Sequence, residues 1–384
     1  QDGAAVAERL RLDAEFLARA AGFPELLDHS VAGYLSSWVY SQSEHQPGTR
    51  VRVPCDAGEL SLQVHDVYED PTAGVTSRLA AVTARYPDAR KVLFLVFKGT
   101  SSLTDFVVDV SLVPNYAPFM RAFGDNVSFV HQGVYHGIEQ LGIRYSDKLF
   151  ELLCQEQRAG IDGVIVTGHS LGGMYAKAFM LDVFFHERGA RSGASPLGRE
   201  LRALSRAWRW LRRLEHRAHS LADHRLLRKA HCVTFGAPSV FGTHPSGPAT
   251  PRRDLAAFMQ QRAINYVHEE DPCPRAWAHL DVECFLSELF PQAVRSWLPA
   301  RRAQLLISLT RPLSDFLARQ LKARTWWQMF TRISLDTSRQ YRELSAVRFL
   351  TRGARRDWRE MRGSGNLKDH LLPGYMDCLR RSAA

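Results

Sequence analysis

Between Val164 and Gly173 the chain reads Val-Ile-Val-Thr-Gly-His-Ser-Leu-Gly-Gly. The β-branched apolar run predicts a strand. The stretch Met174 to His186 predicts a helix, and only a tight turn separates the two. Ser170 is expected at the apex of that turn, in a strained backbone conformation with its hydroxyl exposed. Gly168 and Gly172 flank it because no Cβ fits where the start of the helix crosses the end of the strand. The helix start leaves N–H groups without intrahelical acceptors, and that of Leu171 can face a developing oxyanion. A nucleophile is therefore expected at Ser170. His169, its neighbour in sequence, is read as a packing residue rather than as the base.

A strand that feeds directly into a helix demands a sheet with helices laid on it. The rest of the chain supplies both. Lys91–Phe97 is apolar on both parities, as a strand buried on both faces must be, and it ends in Lys98-Gly99-Thr100. His231–Phe235 and Ala263–Val267 are two more strands, ending in Gly236-Ala237-Pro238 and in His268-Glu269-Glu270-Asp271-Pro272. Leu60–Tyr68 alternates apolar and polar residues, and Val75–Arg85 is a candidate partner strand. Ser128–Val134 reads as strand and Tyr135–Arg158 as helix. Residues 4–20 and Val31–Tyr40 read as helices, and Pro47, Gly48 and Pro54 as loop. Strands alternating with helices predict a mainly parallel sheet covered on both faces, with functional groups at the carboxyl ends of its strands. Thr100, Ser170 and Asp271 all sit at such ends.

The net charge of +10 is unevenly spread. Residues 187–230 carry 12 Lys/Arg against 4 Asp/Glu, and residues 301–362 carry 15 against 5, so the remainder of the chain is acidic. Two basic segments on an acidic body point to insertions that meet an anionic surface such as a membrane, rather than to nucleic acid. Leu201, Leu204, Trp208 and Leu211 line one face of a basic amphipathic helix in the first segment. The six cysteines form no CxxC pair, so no zinc or thioredoxin-type site is expected. No stretch approaches 18 uninterrupted apolar residues, so no transmembrane helix is expected. No signal peptide is visible, and the chain opens on Gln rather than Met.

A serine nucleophile needs a base, and the base an orienting acid, in the chain order serine, acid, histidine. Asp271 follows Ser170 on a later strand end, with Glu269 and Glu270 as rivals. His370 lies near the C-terminus, and fifteen histidines compete for the role.

Seven ordered motifs carry a resemblance. They are Val164–Gly173, Phe97-Lys98-Gly99-Thr100, Asp105-Phe106-Val107-Val108-Asp109, His131-Gln132-Gly133-Val134, Thr234-Phe235-Gly236-Ala237-Pro238, His268–Arg275, and Asp369-His370 with Tyr375. Together they resemble the class 3, fungal-lipase-like group of the α/β-hydrolase fold, from about residue 60 to 378. Lys98 stands where that family has Arg, and Phe106 where its lid has Trp.

The resemblance implies one α/β-hydrolase domain over residues 1–384. An N-terminal helical segment (1–50), a lid (about 103–125) and basic helical insertions (about 187–230 and 285–362) would decorate it. It implies a triad of Ser170, Asp271 and His370, with an oxyanion hole formed by Leu171 and Thr100. It also implies hydrolysis of acylglycerol esters, tri- or diacylglycerol first, with phospholipid or galactolipid cleavage as the alternative. No metal or organic cofactor is implied, and neither is a nucleic-acid partner. The contrasting expectation is a lipase-like module used for signalling or scaffolding, without catalysis.

Overall fold

The successive residues of Lys91–Phe97 point to two different cores. Leu93, Leu95 and Phe97 join a cluster with Val164, Val166, Met174, Tyr175 and Phe179. Val92, Phe94 and Val96 join another with Val31, Leu35, Trp38, Ile165 and Tyr375. This period of two is what a strand imposes, and it puts a helical layer on each face. The computed structural model describes residues 24–40, 46–55, 58–69, 78–99, 114–115, 128–191, 226–243, 253–269, 271, 273–275, 341–350, 370 and 372–382.

In chain order the strands are β1 (Arg50–Cys55), β2 (Gly58–Glu69), β3 (Arg78–Arg85), β4 (Lys91–Phe97), β5 (Pro114–Asn115), β6 (Ser128–His131), β7 (Gly163–His169), β8 (His231–Phe235), β9 (Phe241–Thr243), β10 (Ala263–His268), β11 (Tyr341–Arg342) and β12 (Ala346–Leu350). The helices are α1 (Pro24–Trp38), α2 (Gln132–Arg158), α3 (Leu171–Arg191), α4 (Arg253–Arg262) and α5 (Leu372–Ser382). Eight strands make the main sheet, in the order β1-β2-β3-β4-β7-β8-β10-β12. From β1 to β4 neighbours are antiparallel, and from β4 to β12 they are parallel. This mostly parallel sheet, sandwiched by helices and carrying a strand-turn-helix serine, is the α/β-hydrolase fold. A smaller antiparallel sheet, β11-β9-β6-β5, lies apart from it in the pairing scheme.

Several expectations shift. Pro54 lies inside β1 rather than in a loop, which an edge strand tolerates because the missing N–H breaks no interior ladder. The strand at Ser128 ends at His131, whose imidazole caps α2 by accepting from the Val134 N–H at 3.5 Å, so Val134 is helical. The helix expected at Val31–Tyr40 starts earlier, at Pro24, where a proline suits the first turn.

The span 285–362 is not wholly a helical insertion. Ala346–Leu350 closes the main sheet, pairing in parallel with β10 from Ile264 opposite Ala346 to His268 opposite Leu350. The helix expected over residues 4–20, the lid at 103–125 apart from Pro114–Asn115, and most of both basic segments lie outside the described residues.

Candidate active site

The serine turn sits at the carboxyl end of β7. Ser170 has φ 57°, a left-handed conformation that costs an L-residue about 1–2 kcal/mol. Its N–H donates to Phe235 O at 3.0 Å, while its own carbonyl accepts from Gly173 N at 2.9 Å and Met174 N at 3.2 Å. The turn is thus tied to β8 on one side and wound into α3 on the other. A Cβ on Gly168 would strike the Gly172 backbone, and one on Gly172 would strike Phe97 O and the Lys98 and Gly99 backbone. The end of β4 therefore passes directly against the turn. Leu171 opens α3 and is buried, and its N–H belongs to the first turn, which lacks intrahelical acceptors. Thr100 lies outside the described residues, one position beyond Gly99.

Asp271 follows β10 and is 0% exposed. Its N–H donates to His268 O at 2.9 Å, a tight turn that swings the carboxylate back over the sheet. Oδ2 accepts from His370 Nδ1 at 2.8 Å and from the Tyr375 hydroxyl, and Oδ1 accepts from Cys273 N at 2.8 Å. Burial alone would raise the pKa of this carboxyl. The facing His370 charge and the three donors outweigh it and hold Asp271 below the usual carboxylate range. For His370 burial favours the neutral ring, yet the adjacent carboxylate wins and raises its pKa well above the ordinary histidine value.

Gly236, with φ 59°, faces this pair. A Cβ there would come within 2.7 Å of Asp271 Oδ2, 2.8 Å of Tyr375 Oη and 2.9 Å of His370 Nδ1, so only glycine leaves room. The loop that follows is pinned hard. Buried Lys177 donates to Ala237 O at 3.1 Å and Pro238 O at 3.3 Å, and pairs with Glu343 at 2.6 Å. Asn265 Nδ2 donates to Ala237 O at 2.8 Å.

The structure brings His370, at the start of the C-terminal segment, to Asp271 and beside the serine turn. Glu269, the rival acid, lies instead with His268 and Cys378. Glu270 is outside the described residues.

His169 does more than pack. Its Nε2 meets His370 O at 2.7 Å, and because a carbonyl only accepts, Nε2 carries the proton. The two rings stack with centroids 4.5 Å apart. Burial pushes the pKa of His169 down to about 3, so it is a neutral donor that holds the His370 backbone. Tyr375 and Cys273 also serve Asp271: both fall within the motifs read from the sequence, and the Cys273 N–H lies two residues on, where an Asp side chain accepts locally, but the motifs assign neither a role at the acid. Among the described residues two groups have donors suited to a metal: Asp271, Cys273 and His370, and separately His268, Glu269 and Cys378. In the first, the carboxylate oxygens are already taken by the donors described above.

The profile of the family described as Lipase (class 3) matches residues 94–198, a span that contains β4, β7 and the serine turn. The lipase of Rhizomucor miehei is 31% identical over 175 residues, 45% of this chain and 44% of that one. The chain thus spans under half the length of that curated relative. Among solved structures, the Rhizomucor miehei lipase propeptide complex is similar with a TM-score of 0.39 at 20% identity, covering 66% of this chain and 63% of that one. The lipase from Rhizopus microsporus var. chinensis gives 0.38 at 17% identity, covering 67% and 69%. The family signature falls on the strand-turn-helix that carries Ser170, and over that span the chain is similar to class 3 lipases.

Proposed function

We propose that the protein is a serine ester hydrolase that cleaves acylglycerols, with Ser170 as nucleophile, His370 as base and Asp271 as its orienting acid. The observation that carries this reading is the 2.8 Å bond from His370 Nδ1 to a fully buried Asp271, next to a serine held at φ 57°.

With Nδ1–H committed to Asp271, Nε2 of His370 is the nitrogen left to accept the Ser170 proton. Ser170 Oγ then attacks the ester carbonyl. The negative charge that moves to the carbonyl oxygen is met by the N–H of Leu171 and by Thr100, each such donor lowering the barrier by about 3–4 kcal/mol. The imidazolium, stabilised by Asp271, gives its proton to the departing glyceride alkoxide. Water, deprotonated by the same imidazole, releases the fatty acid from Ser170. No step calls on a cofactor.

The acylglycerol assignment is supported by the lipase relative and by the seven motifs. Phospholipid or galactolipid cleavage is the competing substrate class. The basic segments at 187–230 and 285–362 would hold the enzyme at an anionic lipid surface, and deletion of 187–230 should weaken sedimentation with anionic liposomes. Among the described residues no helix is long and apolar enough to cross a membrane.

A fluorophosphonate probe with peptide mapping tests the nucleophile. Labelling confined to the peptide containing Ser170, and lost in Ser170→Ala, is expected. A folded protein that stays unlabelled would move the weight to a non-catalytic module.

A further inference from the structure

We propose that His268, Glu269 and Cys378 form a binding site for a zinc-type divalent cation, beside Tyr375 and separate from the Asp271–His370 pair. Their donor atoms, an imidazole nitrogen, a carboxylate oxygen and a sulfur, all lie within 4.8 Å of one another. Tetrahedral zinc, with bonds of about 2.0–2.3 Å, sets its ligands about 3.3–3.8 Å apart, so side-chain adjustments of about 1 Å close the set on an ion. A nitrogen, sulfur and oxygen set suits zinc and disfavours magnesium or calcium, which take oxygen alone.

The three residues come from two elements. His268 ends β10, Glu269 begins the turn towards Asp271, and Cys378 lies on α5. His268 and Cys378 are buried at 8% and 3%, and Glu269 is half-buried, so the carboxylate marks the solvent side. The imidazole is held in place from two sides. A Cβ on Gly374 would come within 2.6 Å of its Cε1 and 2.9 Å of its Nδ1, and the Tyr375 ring lies 5.4 Å from it, centroid to centroid. A glycine inside a helix weakens the helix, and here it makes the space in which the His268 ring stands.

Three protein ligands leave a fourth position for water. Binding exchanges the Cys378 thiol proton, released to solvent, for the metal–sulfur bond. Cys378 lies one turn beyond Tyr375 on the same buried face of α5. An ion there braces against β10 the helix whose tyrosine donates to Asp271.

The test is titration of the metal-stripped full chain with cobalt chloride. One equivalent should bring up a thiolate-to-cobalt charge-transfer band and the visible bands of a four-coordinate ion, and zinc chloride should displace them. Cys378→Ser should abolish the charge-transfer band, His268→Gln should weaken binding at least tenfold, and Cys273→Ser should leave the band unchanged. Should Cys378→Ser fail to fold by circular dichroism, His268→Gln and Glu269→Gln decide in its place. The proposal is overturned if the wild type shows no charge-transfer band. It is equally overturned if the band survives in folded Cys378→Ser, or in unweakened form in the folded His268 and Glu269 variants, or if it depends on Cys273 instead.

Discussion

Replacing Tyr375 by Phe keeps the ring and deletes one O–H. That hydroxyl donates to Asp271 Oδ2, and both residues are 0% exposed, so no water replaces it freely. A hydrogen bond to a charged acceptor contributes about 1.5–3 kcal/mol. With an unfolding entropy of about 2.1 cal/mol/K per residue, the loss lowers Tm by about 2–4 °C. Catalysis should suffer less than tenfold, because His370 Nδ1 still reaches the carboxylate. Asp271→Asn should instead lower kcat about 10⁴-fold, because the amide no longer holds the imidazole tautomer or its charge.

The two substitutions together form a double-mutant cycle. In the Asp271→Asn protein the hydroxyl has lost its charged acceptor, so adding Tyr375→Phe should then cost about 1 kcal/mol or less. Urea unfolding of the four proteins measures this. An equal cost of Tyr375→Phe in the wild type and in the Asp271→Asn background would refute the claim that the phenol serves the carboxylate.

Four further outcomes are expected. The depressed Asp271 pKa stabilises the fold above about pH 4 and loses that contribution as pH falls through its folded value. The raised His370 pKa contributes below about pH 6.5 and loses it as pH rises through its folded value. The pair therefore stabilises most fully between those limits. Activity needs His370 neutral, so the acid limb of kcat/KM should have its midpoint above pH 6.5, measured with a soluble ester. Lys177→Met leaves Glu343 buried without its cation and should cost about 3–5 kcal/mol in urea unfolding, with much of that recovered in Lys177→Met/Glu343→Leu. Gly168→Ala drives a Cβ into the Gly172 backbone and should destabilise by about 3 kcal/mol or leave the protein insoluble, whereas Gly160→Ala meets no atom within 4 Å and is opposed only by its positive φ.

The central strands are legible because burial on both faces leaves apolar residues on both parities: β4 reads as a continuous apolar run from Val92, and β7 carries Val164-Ile165-Val166. The serine turn is legible because its glycines are demanded by backbone contact, which local sequence records. β12 is not. Its exposed Arg348 and its place among fifteen basic residues mask a strand that needs apolar character on one face only. β1 hides behind Pro54 for the same reason, being an edge strand. At the site, Asp271 and His370 stand out through motif and order, and Tyr375 through its motif, but the contacts that support the pair do not. His169 meets His370 O across 201 positions, and Tyr375 meets Asp271 across 104. Contacts made by folding at such separations leave no local pattern, and for His169 the sequence displays only its neighbour Ser170, which suggests packing and hides the bond to His370.

The central claim is that Ser170 attacks acylglycerol esters. The most direct measurement is fatty-acid release by mass spectrometry from mixed liposomes of triacylglycerol, diacylglycerol, phosphatidylcholine and galactolipid, with wild type and Ser170→Ala side by side. The account predicts release from tri- or diacylglycerol by the wild type, at least about 10³-fold above the Ser170→Ala variant. Equal release by the two proteins, or none from any acylglycerol by a protein whose Ser170 takes the fluorophosphonate, would contradict it.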